Sequence, residues 1–333
     1  MRDFEVKHSV LAKGVALIVT IILLALLFSQ IDLSDIVTTI ANIDPLYLVA
    51  GFFLYTSSYF FRALRFHILL NREVGLRTLF RIVCVHNMVN GILPARTGEL
   101  SYIYLLKKVD GRNVGEGVST LTIARIFDFI AITICFLISF IIIGEISSTL
   151  VQTAWMVGVF MIAMVLSLFF LLHSGRKFIY AIHILFNKCH LVKWRFGDCI
   201  LKCGEEAVES LEKIKETGNN QYIFIFLVSC GIWVSLYLLI FLLVSGMEIH
   251  IGFFLVLFAS TFAIISTVLP IQGIGGFGTV EGAWSVGFIL VGLPNEVAIN
   301  SGFVYHIVYF IYLMLLGIGG SIALRNRLFI DIL

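Results

Sequence analysis

The residues of this chain best suited to chemistry are ionisable groups set inside apolar sequence. Arg96 and Glu99 stand three positions apart in Asn90-Gly-Ile-Leu-Pro94-Ala-Arg96-Thr-Gly98-Glu99. Arg125 and Asp128 repeat that spacing within the apolar stretch 118–143, which places them on one face of a helix and within reach of each other. Glu281 follows the run Gly273-Ile-Gly275-Gly276-Phe-Gly278, and His306 lies in the last apolar stretch. An ionisable side chain at membrane depth costs about 3 kcal/mol or more, so such groups face a partner or a wet cavity. The set suits recognition of an anion. Arg96 begins the segment after Pro94, where unpaired backbone N–H groups favour negative charge, and a guanidinium binds phosphate bidentately. Gly273, Gly275, Gly276 and Gly278 let backbone approach a ligand closely. Asp128, Glu281 or Glu99 would carry a proton or hold the arginines in place.

Plainer readings stand beside these. Arg96–Glu99 and Arg125–Asp128 also serve as ion pairs that pin helices. Arg62 and Arg65 are expected to snorkel at the cytoplasmic interface, or to guide headgroups into the cavity. His306 reads more readily as a packed, hydrogen-bonded histidine than as a proton relay, and Asn87 and Asn90 as groups that satisfy free backbone near Pro94. The glycine run lies between apolar segments and not after a strand, so it is no nucleotide-binding loop. Cys189, His190, Cys199 and Cys203 match no standard zinc spacing, and no Ser/His/Asp constellation can be assembled. No metal, cofactor or nucleic acid is expected.

The elements that must position these residues are membrane spans. Hydrophobic residues make up 59% of 333 positions and charged residues 13%, about half the charged share of a soluble domain. Spans of about 20 apolar residues are predicted at 11–30, 46–61, 118–143, 151–172, 221–244 and 299–323. No small-x-small cleavage site follows the first, so it is read as retained. Lys and Arg fall in the N-terminal tail, in 62–81, 107–112 and 176–215, and at Arg325 and Arg327; none occurs from 216 to 324. The intervening loops carry acids alone, which puts both termini in the cytoplasm. Two further apolar regions are interrupted. Residues 82–106 begin and end on the basic side and break at Pro94, which predicts a re-entrant hairpin. Residues 251–293 begin and end on the acidic side and break at Pro270 and the glycine run, as a hairpin or two short spans.

A single all-α membrane domain over 1–333 follows, with about six full spans and two broken hairpins. Half one runs 11–143 with hairpin 82–106, and half two 151–323 with hairpin 251–293. Three full crossings per half invert the second relative to the first, and paired Gly/Pro-broken segments mark a transporter's central site. The insert 176–217 has helical apolar spacing and reads as an amphipathic surface helix.

The run Asn90 to Glu99 resembles the hallmark of the lysylphosphatidylglycerol synthase transmembrane-region family. Arg62-Ala-Leu-Arg65 before it, Arg125-Ile-Phe-Asp128 after it, and Pro270 through Glu281 late in the chain agree in order. The resemblance implies a flippase-like domain, as in multi-peptide resistance factors, that moves an anionic phospholipid or a polyprenyl-phosphate-linked lipid. The chain ends at Leu333, soon after the last predicted span, so lysyl transfer is not expected of it. A separate lipid-modifying or glycosyl-transferring enzyme would then be its partner. The expected headgroup site is Arg96, Glu99, Asn90, Arg125, Asp128 and Glu281. A proton-coupled transporter of a small anion, a membrane-embedded transferase and a non-transporting scaffold remain the rival readings.

Overall fold

A computed structural model describes residues 32–144, 151–167, 219–268 and 274–328, with positions 170 and 174. The first predicted span, the insert 176–217, Pro270 and Gly273 lie outside the described residues. Those described form helices and no strand: α1 (Leu33–Asn42), α2 (Pro45–Leu69), α3 (Leu76–Ile92), α4 (Leu100–Asp110), α5 (Val114–Ile143), α6 (Val151–Ser167), α7 (Asn219–Gly246), α8 (Phe253–Val268), α9 (Thr279–Leu290) and α10 (Asn295–Leu328). Short 3-10 turns at Pro94–Glu99 and Ile274–Gly276 interrupt the two hairpins. Three of the described helices, α5, α7 and α10, are long and apolar enough to cross a membrane. The chain is a helical, multi-pass membrane protein.

Local chemistry sets the boundaries. Asp44 caps α2, its side chain accepting from Leu46 N–H at 2.8 Å, and Pro45 takes the first helical position, where its missing N–H costs nothing. No breaker then intervenes until Asn71 and Arg72, both in the left-handed region, so α2 runs eight residues past the predicted 46–61. Arg62 and Arg65 are thereby drawn into the helix, out of the basic loop where the sequence reading placed them. Ahead of Pro94, Leu93 is extended, as a residue before proline must be, and α3 stops there. Asn113 caps α5 by accepting from Glu116 N–H at 2.7 Å.

The hairpin arms are short. At 1.5 Å per residue α3 and α8 reach about 25 Å and α4 and α9 about 17 Å, below the ~30 Å hydrocarbon core.

Packing follows a pattern that survives exchange of the two halves. Helix α2 lies along α7. The arm α3 packs on α10 as α8 packs on α5, α4 meets α5 as α9 meets α10, and α2 touches α10 as α7 touches α5. Each hairpin therefore docks against the long last helix of the other half. Glycines permit the closest of these approaches: a Cβ on Gly317 would sit 2.4 Å from Met88 Cβ, and one on Gly287 would sit 2.1 Å from the Ala259 carbonyl oxygen.

Candidate functional site

The two hairpin breaks touch each other, and a cavity of about 140 Å³ lies beside their meeting point. Arg96, in the first break, holds a left-handed backbone (φ 56°), a conformation a branchless loop residue adopts at some cost and that its surroundings must enforce. Gly98 shows what enforces it. Its Cα sits so close to α3 that a Cβ there would lie 2.3 Å from Asn90 Cα and 2.7 Å from the Val89 carbonyl oxygen. The break thus folds back tightly on the arm that precedes it. Arg96 Nε donates to the Thr267 carbonyl oxygen near the end of α8, tying the first break to the second hairpin.

From Arg96 a chain of charges runs into the bundle. Arg96 Nη1 is 2.8 Å from Glu99 Oε1, and Arg125 Nη2 is 2.9 Å from that same oxygen. Arg125 Nη1 lies 3.5 Å from Asp128 Oδ2. The close partner of Asp128 is Arg65: Nη1 reaches Oδ1 at 2.7 Å and Nη2 reaches Oδ2 at 3.2 Å, a bidentate pair. Ser229 Oγ accepts from Arg65 at 3.0 Å, and Trp233 Nε1 donates to Asp128 Oδ1 at 2.9 Å. Arg65 is 1% exposed, so it is a buried structural cation and neither snorkels nor meets headgroups at the interface. The sequence reading of Arg65 is corrected by the length of α2. Arg62, one turn earlier, lines the cavity instead, its guanidinium carbon 5.9 Å from the Trp233 ring centroid. Among the described residues it has no carboxylate within ion-pair distance.

Of the six residues read as a headgroup site, Arg96, Asn90, Arg125 and Asp128 line the cavity. Glu99 stands behind, bridging two of the arginines. Glu281 is elsewhere. It is wholly buried and does not line the cavity; Oε2 accepts from Gly278 N–H at 2.8 Å and Oε1 lies 2.7 Å from His306 Nδ1. Its first task is to cap α9, which starts abruptly after three glycines, Gly275, Gly276 and Gly278, all at positive φ. His306 is packed and hydrogen-bonded as the sequence suggests, 3% exposed and held by Glu281, and it also lines the cavity. Pro94 occupies the first position of the 3-10 turn. Among the described residues no cluster able to hold a metal ion occurs.

The cavity walls divide by half. The first half supplies every charged group in the lining, Arg62, Arg96, Arg125 and Asp128; the second supplies aliphatic and aromatic side chains, hydroxyls, glycine backbone and His306. The family model for the lysylphosphatidylglycerol synthase transmembrane region matches residues 14–317. The chain belongs to that family. A curated protein named glycosyltransferase AglD, from Haloferax volcanii, is 28% identical over 120 residues. The match takes in 35% of this chain and 19% of that relative, so the chain covers about a fifth of its length.

Two residues of this family member's network escaped the sequence reading, Ser229 and Trp233. A signal was present. They are four apart and so share one face of α7, and a tryptophan buried in a helical bundle needs a partner for its N–H. Nothing local identified that partner, since Asp128 is 105 residues away.

Proposed function

We propose that this chain is a lipid translocase that seats an anionic headgroup, of a phospholipid or a polyprenyl-phosphate-linked lipid, in the cavity between its hairpins. One observation carries the reading: three arginines and a single carboxylate face a cavity whose remaining walls are largely apolar. Buried cations without matching anions are expensive, and an incoming phosphate offsets that cost. Arg96, Arg125 and Arg62 would contact the headgroup, with Glu99 and Asp128 holding two of them in position. Family membership supports a membrane role in lipid handling, and the likeness to a protein named as a glycosyltransferase supports a unit that serves different head-modifying chemistries. The chain itself would perform no covalent step, and a separate lipid-modifying or glycosyl-transferring enzyme would supply or use its cargo. The exchangeable packing of the halves fits an inverted repeat in the cell membrane with both termini cytoplasmic, in which one half rocks against the other.

The test is reconstitution into vesicles carrying tail-labelled phosphatidylglycerol, with an impermeant quencher added outside. The protein should speed loss of the inner-leaflet signal, and Arg96→Ala should abolish most of that gain. Unimpaired movement in Arg96→Ala would remove Arg96 from the site. The cavity volume also fits a free small anion; labelled anion uptake into the same vesicles without lipid movement would favour that second reading.

A further inference from the structure

The carboxylate and imidazole of the second half form a dyad that the headgroup contacts leave unused. His306 Nδ1 and Glu281 Oε1 are 2.7 Å apart, a distance at which a proton must lie between two otherwise repelling lone pairs. The other carboxylate oxygen is occupied by Gly278 N–H, and Glu281 is wholly buried. The dyad therefore meets the cavity through the imidazole alone. Its Nε2 lies beside Gly276, which also lines the cavity: a Cβ at Gly276 would be 3.7 Å from that nitrogen. Among the described residues Nε2 has no hydrogen-bond partner. The arrangement, carboxylate to Nδ1 and open Nε2, is one that accepts a proton at Nε2 while the carboxylate balances the charge.

The surroundings decide when it does so. The charged and titratable groups sharing the cavity are Arg62 from α2, Arg96 from the first break, Arg125 and Asp128 from α5, and Tyr305 and Tyr309 from the histidine's own helix; α3, α7 and α8 add none. With no anion present, four guanidiniums, those of Arg62, Arg65, Arg96 and Arg125, stand against two carboxylates, Glu99 and Asp128, so the network on the cavity's charged side carries net positive charge. An anion in the cavity offsets that charge and its opposition to a proton on Nε2, and by reciprocity such a proton strengthens anion binding.

We propose that His306 and Glu281 form a proton-binding site that fills when an anion occupies the cavity, coupling headgroup binding to proton uptake. The proposal rests on the headgroup reading above. The probe is dihexanoyl phosphatidylglycerol, a soluble phosphodiester whose own charge does not change near neutral pH. Its binding to the whole protein in detergent is followed by tryptophan fluorescence and, in weakly buffered solution, by proton uptake with a pH indicator. Wild type should take up as much as one proton per lipid, and its affinity should weaken by up to about tenfold per pH unit on the alkaline side. His306→Gln should bind at the weaker alkaline level with no uptake and no pH dependence. Binding without uptake in wild type, or equal uptake in His306→Gln, overturns this proposal and leaves the headgroup reading intact. No binding of the probe at any pH overturns both. The wild-type measurement decides alone if the variant does not fold.

Discussion

Replacing Asp128 by asparagine keeps the shape of the side chain and removes its charge, and the structure sets how much that should cost. Arg65 is 1% exposed and loses the bidentate carboxylate that neutralises it. Its remaining partners are the Ser229 hydroxyl and the neutral amide oxygen of the new side chain, and its Nε already has none. Arg125 cannot substitute, being itself a cation. An uncompensated buried charge of this kind costs about 3–5 kcal/mol, roughly a hundred- to a few-thousand-fold in the folding equilibrium. Arg65→Met should cost less, because Asp128 would keep the Trp233 N–H at 2.9 Å and Arg125 at 3.5 Å. The double variant should fall short of the sum of the singles by about 1–3 kcal/mol, since the second change removes a partner already orphaned. Unfolding in mixed detergent micelles, followed by tryptophan fluorescence, measures all four proteins. Additive effects, or an Asp128→Asn variant within about 1 kcal/mol of wild type, would refute the claim that this pair neutralises itself in a dry interior.

Arg96→Ala should cost no more than about 1–2 kcal/mol in unfolding, because Glu99 keeps Arg125 at 2.9 Å and is not orphaned, yet weaken binding of dihexanoyl phosphatidylglycerol by tenfold or more; a larger loss of stability would mark it as structural. Gly98→Ala puts a methyl onto Asn90 backbone, so the break must move by about 1 Å and the variant should lose about 1–3 kcal/mol together with binding, read by the same two assays. Trp233→Phe keeps an aromatic face near Arg62 but deletes the hydrogen bond to Asp128; a loss of about 1.5–3 kcal/mol in unfolding is expected, and none at all would mean that the indole N–H is dispensable.

What the sequence disclosed was whatever local spacing encodes. Pro94 ends α3 for a reason that holds in any chain, and Arg96 with Glu99 pair across three residues of one turn. Arg125 and Asp128 were equally local, and their 3.5 Å contact exists. The stronger partner of Asp128 lies 63 residues back, on a helix whose apolar run was judged to end at residue 61. Hydropathy ends a span at the first charges, whereas the backbone ends a helix where hydrogen bonding fails, here at Asn71 and Arg72. That difference moved Arg65 from the interface to the interior. Glu281 was marked as important because it follows glycines, but its capping role depends on the positive-φ turn before α9, which sequence alone leaves open.

The exchangeable packing of the two halves has a companion fact that cuts across it. The main helix pairings recur when the halves are traded, but the charges do not: every arginine on the cavity wall comes from the first half, and no lysine or arginine occurs between 216 and 324. A scaffold whose main helix pairings recur therefore carries its charge on one side of the cavity. For the proposed lipid cargo, charged at one end and apolar at the other, such a wall would favour one orientation in the cavity over its reverse. Sidedness resides in the placement of a few side chains, and a fold that looks reversible is thereby given a front and a back.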